Sequence, residues 1–381
     1  MKPKLKEYFK HATTSENGII LVKMERTSLE INDPDGKVMT FIHCLDGSRS
    51  LDEIADSCGI SKEDVWSGIQ MLNQYKMLEA AEDVHRLTDR ELLRYKNNLT
   101  YFSYYESIEE SKYLYQQKLK QSTVAVLGLG SGSVVAAWLA SMGVGKIVGV
   151  DFDRVELNNL NRQFFYTEED VGDLKTEATK RRLQKLNTDI QVEVYEREID
   201  SAASLLDVLD GVDFVIGAID SPPIQGTRYV NAACLHHRIP AIHIALGNTI
   251  GFFYRVKPFV NGCTDCRLIE TMRNDPAVLK RIKRRLEGTL PVVNFGNPGF
   301  APNVAILTAL VASEVCKDLT GYHEGLQNSF TILDVHNFQL SGRDFSRLSE
   351  CPTCGSKRKT QEIEPSSLVE IIEIAEGIHA G

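Results

Sequence analysis

Val124-Ala125-Val126-Leu127-Gly128-Leu129-Gly130-Ser131-Gly132-Ser133 is the stretch from which the fold is read. Five residues, mostly apolar, make a buried strand. The glycines that follow allow a tight turn into a helix whose first amide groups are free to meet an anion. About 20 residues on, a second apolar strand ends in Asp151-Phe152-Asp153, the spacing at which a carboxylate reaches a ribose in mononucleotide-binding folds. Asn158-Asn159-Leu160-Asn161-Arg162-Gln163 lies just beyond, and Lys175 opens a further helix. A guanidinium and an ammonium next to a glycine turn match a polyphosphate. Ser133 stands where an ordinary dinucleotide fingerprint has its third glycine, which argues against a plain NAD site.

Working outward, strand and helix signals alternate from this point on. Strands are expected at 123–127, 146–150, 191–195, 213–218 and 241–245, with helices between them, so the fold class is α/β with a doubly wound, mainly parallel, Rossmann-like sheet. An antiparallel strand is expected at 251–256, a charged stretch at 270–287, a helix at about 302–319 and a strand at 329–334. The tail, 356–381, starts basic and then offers Leu368, Ile371, Ile372 and Ile374 on one face. That pattern fits a docking helix or disorder.

Upstream, residues 1–85 read as a small separate domain. Strands at 19–22 and 28–31 with turn residues at 32–36 suggest a hairpin. Three amphipathic segments follow, two of them opened by Ser50 and Ser61 as caps, and a short final element covers 77–79. This is the order of a winged helix. Residues 86–121, polar and tyrosine-rich, read as a linker with helical stretches, and 122–355 as the nucleotide-binding domain.

The 381 residues carry a net charge of −9, with 43% hydrophobic and 25% charged side chains. Such a balance disfavours nucleic acid as a partner, because phosphate backbones need cations. No apolar run is long enough to span a bilayer, and the first ten residues lack a secretion signal's apolar core, so no membrane partner is expected and a cytoplasmic location is.

Eight cysteines are present. Cys44, Cys58, Cys234 and Cys316 are scattered and read as core residues. Cys263 with Cys266, and Cys351 with Cys354, have the two-residue gap that turns both sulfurs of a knuckle toward one tetrahedral ion. Zinc held by four thiolates is the expectation, two disulfides the alternative. His236, His237 and His243 are assigned no role. Lys280-Arg281-Ile282-Lys283-Arg284-Arg285 reads either as a solvated helix face or as a clamp for an acidic substrate.

Taken in order, Gly128 to Gly132, Asp151-Phe152-Asp153, Asn159-Leu160-Asn161-Arg162-Gln163, Val171-Gly172 with Lys175, Gly217-Ala218-Ile219-Asp220, Thr227-Arg228-Tyr229-Val230-Asn231 and the cysteine pairs resemble the ThiF/MoeB/HesA superfamily, bacterial relatives of ubiquitin-activating enzymes. The resemblance implies attack of a carboxylate on the α-phosphate of ATP, giving an acyl-adenylate and pyrophosphate. It further implies that Gly128, Gly130, Gly132, Asp151, Asp153, Asn159 and Gln163 bind the nucleotide, with Asp151 on the ribose; that Asn159, Arg162, Gln163 and Lys175 contact the phosphates; that Asp220 holds Mg2+; and that the enzyme is a homodimer. Asp151 could instead cap the turn that follows it. The family's arginine that reaches across a dimer has only Arg94 and Lys96 as counterparts here, neither well aligned. Residues 267–302 contain no cysteine, which excludes a thioester on that segment.

The segment 29–78 is similar to the PqqD-like peptide-recognition element of ribosomal-peptide maturation enzymes. A leader peptide would add a strand beside 21–23 or 28–31, against Val65, Ile69 and Leu72 as groove wall. A dimerisation module is the alternative for this domain. Together the two resemblances point to adenylation of a carboxylate on a precursor peptide, as in maturation enzymes of the microcin C and pantocin A type; resemblance to the pantocin type implies glutamate side chains that are activated and cyclised. The rivals are an adenylyltransferase for a ubiquitin-like sulfur carrier and a catalytically silent peptide-delivery partner.

Overall fold

A computed structural model describes residues 1–9, 13–14, 19–23, 28–80, 85–247, 249–289, 299–326, 329–356 and 363–377. The chain forms two compact units, Met1–Lys118 and Leu119–Gly381.

In the first unit β1 (Thr13–Thr14), β2 (Ile19–Lys23) and β3 (Ser28–Asn32) form an antiparallel sheet in that order. The turn residues after β3 lead into α1 (Lys37–Cys44), because the Asp33 carboxylate accepts the amides of Val38 and Met39 at 2.9 and 3.0 Å. Ser50 opens α2 (Leu51–Cys58) through a reciprocal capping box with Glu53, and Ser61 opens α3 (Lys62–Gln74) by accepting the Asp64 amide. Phe41, Leu45, Ile54, Val65, Ile69, Leu72 and Leu78 pack into one core.

Two expectations change here. Val65, Ile69 and Leu72 are 0–2% exposed, so they are core and form no groove wall. The element at 77–79 does not fold into a wing on its own: Leu78 bridges Leu5, and the Lys6 amide donates to the Met77 carbonyl, so the N-terminal segment supplies its partner.

Residues 86–121, expected as a linker with helical stretches, do carry helices: α4 (Asp89–Arg94), α5 (Lys96–Ser103) and α6 (Lys112–Gln121). Tyr95, Leu99, Phe102 and Tyr115 are buried, and Ile108 joins the core of α1–α3. The buried Lys6 ammonium donates to the carbonyls of Glu106 and Lys76 at 2.8 and 2.6 Å. Apolar burial and these bonds fold the segment into the first unit as far as Lys118.

The second unit is built on an eight-stranded sheet. Its elements follow as β4 (Thr123–Leu127), α7 (Ser131–Met142), β5 (Lys146–Asp151), α8 (Lys175–Leu186), β6 (Gln191–Glu196), β7 (Phe214–Gly217), α9 (Gln225–His237), β8 (Ala241–Leu246) and β9 (Ile250–Val256). Then come α10 (Thr264–Asn274), α11 (Pro276–Leu286), α12 (Ala301–Thr320), β10 (Phe330–Asp334), β11 (Gln339–Arg343) and α13 (Leu368–Ala375). Strand order is β11-β10-β9-β8-β7-β4-β5-β6, with β4 to β8 parallel and β9 to β11 antiparallel. The order reverses between β4 and β7, the place where open α/β sheets carry their ligand. Among the described residues no helix is long and apolar enough to cross a membrane.

The strands at 123–127, 146–150, 191–195 and 241–245 stand where expected, each within a residue at its ends; β7 is the shorter 214–217. The exposed edge strand β11 was not foreseen, its five residues lacking any apolar run. The tail resolves in favour of docking: Leu368, Ile371, Ile372 and Ile374 pack against Leu268, Ile269 and Met272 of α10 and Ile282 of α11. Replacing the fully buried Ile371 by alanine is expected to lower stability by about 2–5 kcal/mol, read as a shifted denaturant midpoint with little change in slope.

Candidate active site and cysteine cluster

The turn after β4 is built for close approach. Gly128 has φ +90°, and a Cβ there would lie 2.4 Å from the Ala218 carbonyl oxygen, so only glycine fits. Its amide donates to the Val150 carbonyl at 2.8 Å. The next amide, of Leu129, donates to Asp151 Oδ2 at 2.5 Å, while the buried Tyr166 hydroxyl donates to the Leu129 carbonyl at 2.7 Å. Ser133 earns its place at the third glycine position: its hydroxyl donates back to the Gly130 carbonyl at 2.8 Å.

A cavity of about 440 Å³ opens over the ends of the parallel strands. Gly128, Gly130, Asp151, Asp153, Asn159, Arg162, Gln163, Lys175 and Asp220 all line it. Gly132 does not: a Cβ there would meet Val126 Cγ1 at 2.8 Å, so this glycine lets α7 pack tightly on β4.

Asp151 is buried and caps backbone at both oxygens, taking the Leu129 amide on one and the Asp153 amide at 2.8 Å on the other. Burial raises its carboxyl above the ordinary range, against the pull of Lys175. The capping alternative is thus realised, and Asp151 still borders the cavity. Lys175 is buried with its ammonium 2.7 Å from Asp153 Oδ2. Arg162 rests on its own loop, Nη1 donating to the Asn158 carbonyl at 2.8 Å and to Asn161 Oδ1 at 3.1 Å. Asn159 shapes that loop by accepting the Glu156 amide. Gln163 Oε1 is buried with no hydrogen-bond partner, an acceptor aimed at a site that should supply a donor. Asp220 is exposed just beyond β7.

Arg197, Ile199, Ser221, Ala245 and Leu246 also line the cavity, and Tyr166 supports it from behind. None of these was singled out from sequence. Arg197 carried the one usable signal, a cation directly after a predicted strand. His243 is buried on β8, stacked on Tyr254 at 4.7 Å and kept neutral, its pKa pushed down to about 3 by burial and by Arg267. It is not among the lining residues, and His236 and His237 are not either. Arg94 ends α4 and Lys96 begins α5, both in the first unit.

The four paired cysteines converge. Their sulfurs lie within 4.8 Å of one another, all four residues buried. Cys263 and Cys266 are 3.9 Å apart, Cys263 and Cys351 3.7 Å, Cys266 and Cys354 3.4 Å. A tetrahedron of sulfurs at a zinc bond length of about 2.3 Å has edges of about 3.8 Å. A disulfide needs about 2.05 Å. Both the donor chemistry and the spacing therefore fit zinc, with four protein ligands and no open position.

Between the knuckle cysteines, Asp265 accepts the Thr353 hydroxyl and forms a fully buried pair with Arg228 of α9, Nε to Oδ1 2.6 Å and Nη2 to Oδ2 3.2 Å. Arg228 also donates to the Ser366 carbonyl in the tail at 2.6 Å. In the basic run on α11 only Ile282 is buried; Arg281, Arg284 and Arg285 are exposed, and Lys283 pairs with Glu376.

A glycine turn, three cations and three carboxylates over a doubly wound sheet, with a separate thiolate knot, define an ATP-dependent adenylating enzyme of the kind that activates carboxylates. The chain belongs to the ThiF family, whose model matches residues 96–354. It is 30% identical to the sulfur carrier protein ThiS adenylyltransferase of Escherichia coli, over 71% of this chain and 97% of that one. To the vegetative HesA protein of Trichormus variabilis it is 28% identical, over 71% and 92%. A crystal structure of E. coli MccB with ATP superposes with a TM-score of 0.71 at 25% identity, covering 93% of this chain and all of that one. PaaA shares the fold, with a TM-score of 0.65 at 23% identity over 89% and 99%.

Purified protein is expected to carry about one zinc ion per chain by elemental analysis. Cys354→Ser should lose the metal and melt at lower temperature; a metal-free wild-type preparation of unchanged melting temperature would contradict the assignment.

Proposed function

We propose that this enzyme uses ATP to adenylate a carboxylate on a ribosomally made precursor peptide, which the N-terminal unit holds. The observation that carries the reading is the extent of the likeness. MccB, which has been crystallised together with MccA, superposes on 93% of the chain, so the likeness reaches into the first unit as well as the second. Most of the first unit lies outside the family model, and a unit of its own calls for a task of its own.

The chemistry follows from the cavity. The triphosphate brings charge that Arg162 and Lys175 offset, the latter by turning part of its interaction away from Asp153. Asp151 and Asp153 face the ribose, and the orphaned Gln163 Oε1 accepts from a sugar hydroxyl. Asp220 holds Mg2+, which when bound draws electron density from the phosphate oxygens. A carboxylate oxygen of the substrate attacks the α-phosphorus, its bond to the β-bridging oxygen breaks, and pyrophosphate leaves with that electron pair. No strong base is needed, since the attacking group is already an anion.

Peptide capture uses β3. β2 pairs with β3 along its length and with β1 only at Ile20 and Leu21, whereas β3 has no second neighbour among the described residues, so of the two stretches considered, 21–23 and 28–31, the second offers the longer free edge. An extended leader adds to it by backbone hydrogen bonds. The exposed guanidinium groups of Arg281, Arg284 and Arg285 favour a substrate with acidic side chains, which includes glutamates that could be activated and cyclised. The enzyme works as a homodimer, as the family resemblance implies. The second reading, adenylation of a ubiquitin-like sulfur carrier, is favoured by the sequence relatives in Thermus thermophilus and E. coli that bear that name.

Exchange of labelled pyrophosphate into ATP is expected to require a short leader-bearing peptide. Stimulation by a Gly-Gly-ended carrier protein, with none by peptide, would favour the second reading. Arg162→Ala should lower kcat/KM for exchange by roughly a hundredfold or more, the scale of losing one charge-stabilising contact. Arg281→Glu with Arg284→Glu should weaken peptide affinity and flatten its salt dependence, and an unchanged affinity would return α11 to being a solvated face.

A further inference from the structure

We infer that Arg197 is a nucleotide-binding residue at the base end of the cavity, with Asp207 as its positioning residue; the inference rests on ATP occupying that cavity. Arg197 is the first residue after β6, and its amide donates to the Asp151 carbonyl at 3.1 Å. Strands in the order β7-β4-β5-β6 are spaced about 4.8 Å apart, so the end of β6 lies roughly 10 Å from the glycine turn after β4 and farther from Asp220 after β7. A nucleoside triphosphate whose phosphates lie at the turn and Asp220, and whose ribose lies by Asp151, delivers its base to Arg197 and the adjacent apolar wall at Ile199.

The guanidinium is held ready for that role. Nη1 donates to Asp207 Oδ1 and to the Ser204 carbonyl, both at 2.6 Å, and Nη2 donates to Asp207 Oδ2 at 3.0 Å. Its carbon sits 5.5 Å from the centre of the Tyr195 ring. A bidentate fork fixes the plane of the cation, and a fixed planar cation stacks on a purine at little entropic cost. Lysine at this position would offer charge without a plane.

The support continues into the tail. The Glu364 carboxylate accepts the amides of Ala202 and Ala203 at 3.0 and 2.8 Å, and so steadies the short turn whose Ser204 carbonyl holds Arg197.

The test is calorimetric titration of the full chain with Mg·ATP and, separately, with Mg·tripolyphosphate, which has no base. Arg197→Ala is expected to weaken ATP binding roughly tenfold, the value of one lost stacking contact, and to leave tripolyphosphate within about twofold. Arg197→Lys should behave like Arg197→Ala, and Asp207→Asn should fall between them and wild type. In pyrophosphate exchange the loss should appear in KM for ATP with kcat preserved. ATP affinity unchanged in Arg197→Ala, or equal losses for both ligands, would overturn the inference. Wild-type protein that binds ATP yet exchanges no pyrophosphate with any acceptor would defeat the adenylation reading alone, leaving the calorimetric comparison to judge Arg197.

Discussion

One buried carboxylate organises the catalytic end of the second unit. Asp151 closes β5, yet its two oxygens are spent on the turn after β4 and on the start of the loop that carries Asp153. Its own carbonyl takes the first amide after β6. Three strand ends are thereby tied together at a single residue, two through its carboxylate and the third through its backbone carbonyl. The position of Lys175 depends on this lock, because its partner Asp153 is placed by the same carboxylate. Burial disfavours the charged form of Asp151, and two donated amides with a nearby ammonium compensate.

Much of this architecture was legible in the residues. Four of the five parallel strands, β4, β5, β7 and β8, are mainly apolar runs with most residues buried, a pattern that needs no tertiary context to read, while the edge strand β6 alternates polar and apolar residues. Nine of the ten proposed nucleotide and catalytic residues line one cavity: Gly128, Gly130, Asp151, Asp153 and Asp220 lie at or just after strand ends, and Asn159, Arg162, Gln163 and Lys175 on the loop from β5 to the start of α8. Gly132 was misjudged because glycine serves close packing and ligand approach alike, and only coordinates separate the two. Helical spacing on α3 correctly marked Val65, Ile69 and Leu72 as one face. It could not say that this face meets the unit's own core instead of a peptide. The helices of 86–121 were legible, but their packing into the first unit was not, because the buried groups are tyrosines and a few scattered apolar residues, whose amphipathic bodies look like solvent-facing polarity in a one-dimensional reading. The edge strand β11 has no signal of its own, since its pairing with β10 is supplied by backbone.

The cysteine cluster is joined to the nucleotide cavity by short steps. Asp265 lies inside one knuckle and Thr353 inside the other, and both meet Arg228, directly or through Asp265. Arg228 belongs to α9, the helix that begins five residues after Asp220. A metal that shapes the knuckles therefore sets the seat of α9, and with it the backbone that presents a cavity carboxylate.

The Arg228–Asp265 pair also constrains how this lineage can drift. Two opposite charges sit wholly out of water, and neither tolerates losing the other, because the survivor would be stranded in a medium that cannot solvate it. A swap of both for apolar groups of similar volume is far milder, yet it would release Thr353 and the Ser366 carbonyl at once. Substitution at 228 and at 265 should accordingly arrive as a joint event, accompanied by change in the tail, or not at all.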